Sequence, residues 1–590
     1  MFRGGFDLEA AHVVAAGTDV ERYDVLDEIT LLVDKSLVVA EDSRGQARYR
    51  LLETVRQYAM EKLAESHESE VIRRRHFDFY MAMVNDLGTR LRASPGHRRS
   101  QPQMQQLLDH AVTEVDNLRA AFASGAELAP DPDLLIKAAY AAAWLVDLVL
   151  ADRLADAAIR VGGGPDASFI RAYALSFLGR GQEAEAVLAE ARAGELSETD
   201  DGRLAFLQAT NRLFALADPA GAKRLIDRMS RTPARQDRNC VHAFLTVYWA
   251  AMGKPAAARE SSERVAWDEL PAVAARASAW AVAVAAGEAG STADATAAAE
   301  RGYPIPIRGY FVLTDAHAGA LLLAGRIAEA HDIAEIFARR VWVEVLRQFQ
   351  PICTAIVGRV ALAAGQLGTA CSSLESAGVM FAAMGETYGW GYRNQLARTT
   401  ALAVSGKTAE AAAELILLEK LRHPGWRYLD YELAIARGWV AACRGAAREA
   451  ISSTLSAAET ARNHGQFAAE VMCLQTATQF GDSSRAKRLR ELAEIVEGPR
   501  AGVAARFTTA LSAGDADELA LVSNDFEIMG DLVAAIDAAA YAAVAYRRQE
   551  ARESGFTCAT RAETLATRAE TLSEQYGVHT PALRQSRPAD

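Results

Sequence analysis

The stretch AHAGALLLAGRIAEAHDIAE, residues 316–335, decides the fold. An apolar helical run ends at Gly325, and an amphipathic run begins at once and carries Ala330 near its start. Glycine ends a helix cheaply in the left-handed conformation because it has no Cβ to clash. Alanine five positions later is small enough for the second helix to lie close against the first. The pair recurs as Gly179 and Ala184, Gly253 and Ala258, Gly365 and Ala370, Gly406 and Ala411, Gly445 and Ala450, and Gly530 and Ala535. Successive glycines are 74, 72, 40, 41, 39 and 85 residues apart. The long intervals are near twice the short ones, so a unit of about 36–43 residues fits if three copies lack the glycine.

One such hairpin cannot cover its own apolar face, so neighbours must stack. The expected fold class is therefore mostly α: a small winged-helix domain followed by a tetratricopeptide-like α-solenoid over residues 131–575. An irregular helical bundle is the alternative. The expected concave face holds a protein partner or a small-molecule inducer and does not transform it. A deep pocket with converging ionisable groups, or a compact globule with no regular superhelix, would end that reading.

Composition narrows the function. The 590 residues are 50% hydrophobic and 24% charged, with a formal charge of -12 and a pI near 5.6. That balance argues against a bulk nucleic-acid binder. Cys240, Cys353, Cys371, Cys443, Cys473 and Cys558 form no CxxC pair and have no histidine at zinc-ligand spacing. The N-terminus lacks a signal-peptide pattern. The most apolar run, Leu134 to Ile159, carries Lys137, Asp147, Asp152 and Asp156 and fails as a membrane span. A cytoplasmic location is the expectation.

Residues 1–66 read differently from the rest. Val25, Leu26, Ile29, Leu32 and Val33 recur at helical spacing. An alternating stretch through Leu37, Val39, Tyr49 and Leu51, with a polar turn at Gly45, reads as a β-hairpin. Helix resumes with Val55, Tyr58, Ala59 and Leu63 on one face. Helix, hairpin, helix predicts a winged helix. It holds 8 basic and 13 acidic residues, a net of -5, which opposes phosphate contact. The candidate contacts on its hairpin are Arg48 and Arg50, with Arg44 at the turn and Arg56 just beyond. Residues 67–130 form a basic helical connector. It carries Arg73, Arg74 and Arg75, then Arg90, Arg92, Arg98 and Arg99, interleaved with Phe77, Phe79 and Tyr80. Residues 576–590 read as a tail that frays.

FRGGFDLEAA (residues 2–11), LLVDKSLV (31–38), YRLLETVRQYAMEKL (49–63) and EVDNLRAAF (114–122) together resemble actinobacterial STAND-type ATPase regulators of the LuxR family. The resemblance covers residues 1 to about 125 and beyond that rests on repeat texture. It implies a winged helix packed against an ATPase module, a helical-repeat sensor and a C-terminal helix-turn-helix after a TPALR-like stretch, here Thr580 to Arg584. On that reading the chain is the middle of such a regulator, acting in signal transduction and transcriptional control.

Catalytic motifs are missing. Gly406-Lys407-Thr408 resembles the end of a Walker A loop, but Ala401 stands where the first glycine belongs and the preceding residues read as helix. There is no HExxH, GxSxG or GxGxxG. The expectation is a non-enzyme with no cofactor and no metal. Two interruptions of the helical pattern are candidate ligand loops: RGYPIP (301–306) with Tyr303, and ETYGWGY (386–392) with Trp390 and Tyr392. Trp144, Trp249, Trp280, Trp342 and Trp439 either fill gaps between helices or anchor a ligand. Direct DNA binding through the wing and connector is the alternative function.

Overall fold

The computed structural model describes residues 1–16, 20–43, 46–92, 113–128, 131–144, 147–231, 235–304, 310–341, 349–384, 388–553 and 577–586, with isolated positions from 564 to 575. The chain divides between Leu196 and Ser197 into two compact units. The boundaries expected near 66 and 130 both fall inside the first.

Unit 1 opens with a short helix α1 (Leu8–Ala11) that runs on as a π-helical turn to Ala16. It is capped by Asp7, whose Oδ1 accepts from the Ala10 N–H at 2.8 Å. Then come α2 (Arg22–Asp34), an antiparallel hairpin of β1 (Val38–Ser43) and β2 (Gln46–Leu51), α3 (Glu53–Glu65) and α4 (Ser69–Arg92). Val38 pairs with Leu51 and Ala40 with Tyr49. Phe6 adds a third, one-residue rung beside Tyr49. Phe6, Ala10, Ala11, Ile29, Val38 and Tyr49 form the core of this winged helix. It is a thin core: α2 buries only Ile29, and α3 buries no residue at all.

Helix α5 (Val115–Leu128) fastens the winged helix to the first hairpins, and the fastening uses two of the motifs singled out in the sequence. Asn117 Oδ1 accepts from the Arg3 and Gly4 amides at 2.9 and 3.2 Å, and its Nδ2 donates to the Gly5 carbonyl at 2.9 Å. Glu114 accepts from Asn117, from Tyr80 at 2.9 Å and from Arg48. The FRGG and EVDN segments thus satisfy each other's buried polar groups.

Unit 2 is a stack of helical hairpins. All seven glycines of the predicted ladder, Gly179 in unit 1 and the other six here, have φ between +67° and +90°, and the seven paired alanines are fully buried. Two of the three copies expected to lack a glycine have one: Gly290 with buried Ala295, and Gly481 with Ala486. The third lacks it as expected and turns at Ala217, φ +52°, with buried Ala222 after it.

The stack is not an open rod, because residues some two hundred positions apart touch. The Glu497 amide donates to the Gly290 carbonyl at 2.9 Å, and Glu497 Oε2 accepts from the Ala293 amide at 2.8 Å. A Cβ on Gly290 would meet Val496 at 3.0 Å, and one on Gly325 would meet the Arg500 backbone nitrogen at 3.1 Å. At these two turns glycine is required by close approach as well as by φ. The segment expected to fray also joins the body. Val578, Thr580, Ala582 and Leu583 are buried, and the His579 amide donates to the Val404 carbonyl at 2.8 Å. Apolar Val578, Ala582 and Leu583 recur at helix-compatible spacing and give residues 577–586 something to bury, as the helix Pro581–Ser586 does. Residues 587–590 lie outside the described residues.

Ala330 and Ala411 each sit at zero exposure between the helices of a hairpin. Ala330→Leu and Ala411→Leu are each expected to overpack that contact and cost about 1–3 kcal/mol in urea denaturation. An unchanged midpoint for both contradicts the register.

Candidate functional site: a charged cavity inside the repeat unit

Eight helices of unit 2, taken alternately along the chain, present one face to a common cavity of about 190 Å³. They are Ala272–Ala289, Tyr310–Ala324, Gln350–Ala363, Trp390–Val404, Asp430–Cys443, Phe467–Gln479, Pro499–Ala513 and Leu532–Glu553. Much of the wall is apolar, with Val284, Leu323, Leu396, Ile435 and Trp439 among the lining residues. Set into it are three guanidiniums and four carboxyl groups.

Asp315 lies between two arginines, with Arg359 Nη1 at 3.0 Å and Arg393 Nε at 3.3 Å. Arg393 also reaches Glu432 at 2.5 Å. Arg500 donates to Asp531 at 2.7 Å, to Gln475 at 3.0 Å and to the Leu322 carbonyl at 3.1 Å. Glu288 accepts from Gln466 Nε2 at 3.1 Å. Burial, then the charge of Glu432, holds the Glu288 carboxyl well above the usual carboxylate range. Burial also pushes Asp315 up, against the pull of Arg393. Arg359 Nε, buried at the wall, makes no hydrogen bond.

This is the deep pocket with converging ionisable groups that the expectation of an open holding face did not contain, and it runs against that expectation. Asp315, Glu432 and Asp531 are each engaged by an arginine, and burial raises Glu288. None of these seven residues was singled out in the sequence. The available signal was a lone charge inside an otherwise apolar helix: Asp315 within YFVLTDAHAGALLLA, Arg359 within PICTAIVGRVALA, Glu288 within AVAVAAGEA.

The residues that were singled out lie elsewhere. Tyr303 is half-buried and its hydroxyl pairs with His317 Nδ1 at 3.1 Å, while Nε2 of that ring meets Thr296 at 3.2 Å. Burial pushes His317 down to about 4. Trp390 is buried edge-on to Trp426 and Phe311, and Tyr392 is fully buried with its hydroxyl unbonded. None of the three lines the cavity. Residues 305–309 and 385–387, the rest of those loops, lie outside the described residues, as does Trp342. Trp439 lines the cavity; Trp280 is buried and Trp249 half-buried. Gly406 makes a repeat turn, and Thr408 meets Cys443 Sγ at 2.8 Å, so the Walker-like triplet is used structurally.

In unit 1, Arg48 is committed to Glu114 and to the Gly5 carbonyl. Arg50 pairs with Glu41 at 3.0 Å, Arg56 with Glu53, and Arg74 with Asp78 at 3.2 Å. Arg73 is exposed and Arg75 half-buried. Arg44, Arg98, Arg99 and Cys558 lie outside the described residues, as do the side chains of Arg90 and Arg92. Helix α2, which precedes the wing as a recognition helix would, exposes Asp24, Asp27, Glu28 and Asp34. Among the described residues no group of three or more His, Cys, Asp or Glu is placed to hold a metal ion, and no helix is long and apolar enough to cross a membrane.

Comparison with known proteins agrees with the N-terminal reading. A family model for a winged helix-turn-helix domain matches residues 1–64. Proteins assigned as HTH-type transcriptional regulators in Mycobacterium tuberculosis and Mycobacterium bovis are 55% identical over 122 residues. That is 21% of this chain and 13% of theirs, so the match spans about an eighth of the relatives' length. An uncharacterised Mycobacterium tuberculosis protein is 51% identical over 77 residues, 13% of this chain and 20% of its own. Among solved structures, a Rap protein in complex with competence and sporulation factor aligns with 60% of this chain and 99% of its own. Its TM-score is 0.43 at 13% identity. A STAND protein with a tetratricopeptide repeat sensor from Pyrococcus horikoshii aligns with 74% of this chain and 63% of its own, with a TM-score of 0.35 at 14% identity. The chain thus joins a DNA-binding-type domain, similar to those of assigned transcriptional regulators, to a helical-repeat unit.

Glu288 binds its proton more tightly folded than unfolded. Stability is therefore lost as pH rises from the unfolded carboxylate range, about 4.3, through the raised folded value. In Glu288→Gln that loss is removed. Its melting temperature is expected to gain on the wild type as pH rises above the unfolded carboxylate range. A difference independent of pH contradicts the buried, protonated carboxyl.

Proposed function

We propose that the chain is a non-enzymatic regulator of the STAND type, LuxR-family lineage, whose repeat unit senses an inducer or partner segment in the charged cavity. The observation that carries this is the inward convergence of Glu288, Asp315, Arg359, Arg393, Glu432, Arg500 and Asp531 from successive inner helices. At about 190 Å³ the cavity is below the range of roughly 300–1,000 Å³ for drug-sized ligands. The occupant is then a small metabolite, or one side chain of a partner peptide, with a charged end for the arginine–carboxylate network and an apolar end. A ligand that re-pairs these charges favours one arrangement of the inner helices over another, and differential affinity of that kind shifts a conformational equilibrium. The winged helix serves in this reading as a relay to other protein modules, consistent with its exposed α3. Cytoplasmic action in transcriptional control is part of the proposal.

Direct DNA binding is the second reading, favoured by the winged helix-turn-helix match to residues 1–64. The acidic face of α2 and the prior engagement of Arg48, Arg50, Arg56 and Arg74 speak against it.

Two measurements on the full chain separate them. In a thermal-shift screen of amino acids and dipeptides, at least one compound is expected to raise the melting temperature of the wild type. The same compound should leave Ala363→Leu, which narrows the cavity wall, unmoved. A screen in which nothing binds, or in which both proteins respond equally, contradicts the sensor reading. In a gel-shift at physiological salt, no complex tighter than about 1 μM is expected. A tighter, salt-sensitive complex transfers the function to DNA binding.

A further inference from the structure

Unit 1 contains a second, larger cleft of about 1160 Å³, walled by the N-terminal segment, α3, α4, α5 and the helix Leu148–Arg160. Arg3, Arg56, Arg73, Arg119 and Arg153 line it, against the carboxylates of Glu61, Asp116 and Asp147. Arg119 is held by Asp116 at 3.4 Å and Asp147 at 3.5 Å, and Arg56 by Glu53. The side chains of Arg3 and Arg153 are exposed and make no hydrogen bond or ion pair among the described residues. The lining also includes His76, which is 2% exposed, yet its Nε2 has no hydrogen-bond partner. Burial pushes the ring down to about 4, so it is neutral at pH 7.

One thing here is costly unless a ligand answers it. A buried polar nitrogen is left unsatisfied, and most buried polar atoms are not. Arg3 and Arg153 line the same cleft from different segments. A guanidinium offers a fork of donors suited to an oxyanion, and several forks from different segments suit one whose oxygens point several ways.

We propose that this cleft binds a compact, multiply charged phosphate-bearing anion, held by Arg3 and Arg153 with His76 Nε2 as a buried neutral partner. Nucleic acid offers the same phosphates, but a long backbone would also meet the exposed acids of α2 in the same unit, whose first 66 residues carry a net charge of -5. A concave basic site confines its field to a small ligand. The proposal is independent of the repeat cavity.

The test is calorimetry of the full chain with sodium pyrophosphate at physiological salt. Saturable binding with Kd below about 1 mM, weakened at least about tenfold in Arg3→Ala/Arg153→Ala, is the expected result. Both arginines are exposed, so circular dichroism of the double variant should match the wild type. Three results overturn the proposal: heats reproduced by sodium chloride of equal ionic strength, affinity unchanged in the double variant, or no saturable binding. A fourth is tighter binding of a 15-nucleotide single strand or duplex than of pyrophosphate with the same arginine dependence, which assigns the cleft to nucleic acid.

Discussion

A guanidinium taken out of water costs several kcal/mol unless acceptors surround it. Unit 2 buries four of them among its described residues, Arg276, Arg359, Arg393 and Arg500, and the last three line the cavity. Each of those three is a demand that a single hairpin cannot meet. Arg393 needs Asp315 from an earlier helix and Glu432 from a later one, and Arg500 needs Asp531 together with a carbonyl 178 residues away. The pairing therefore couples the whole unit. The helices must close around a common interior for the charges to find each other, and once closed they leave a small cavity whose walls are apolar with charges already in place.

The turns make that closure possible. Left-handed glycines end the first helix of most hairpins, and at Gly290 and Gly325 the next part of the stack comes so near that a methyl group would collide with it. Small residues thus serve two ends: they cap helices locally, and they let distant layers approach. Ala217 shows the first role can be filled without glycine at a strain of about 1–2 kcal/mol. It makes no case for the second.

Local physics was legible in the sequence, and distant physics was not. The Gly-to-Ala spacing follows from one turn and one helix contact, so it could be counted directly, although Gly290 and Gly481 were overlooked. The hairpin and its flanking helices were legible for the same reason. The cavity was not, because it joins Glu288 to Gln466 and Arg500 to Leu322, and no periodicity links such positions. A charge alone in an apolar helix was the one clue available. The aromatic loops misled for the converse reason: Trp390 and Tyr392 look exposed in a glycine-rich segment but fill the core. The tail, read as one that frays, docks through Val578, Ala582 and Leu583, whose partners lie far off in sequence. In unit 1 the FRGG and EVDN segments stood out as a likeness, and the structure supplies the physical reason, since each hydrogen-bonds the other.

The central claim is that the repeat unit closes on itself so that inner-face polar groups pair across the stack. A double-mutant cycle on Glu288 and Gln466, 178 residues apart and joined by one hydrogen bond of 3.1 Å, tests it most directly. Unfolding free energies of Glu288→Ala, Gln466→Ala and the double variant are expected to give a coupling of about 1 kcal/mol. A coupling within about 0.3 kcal/mol of zero would mean the two side chains never meet, and the closed cavity would not exist.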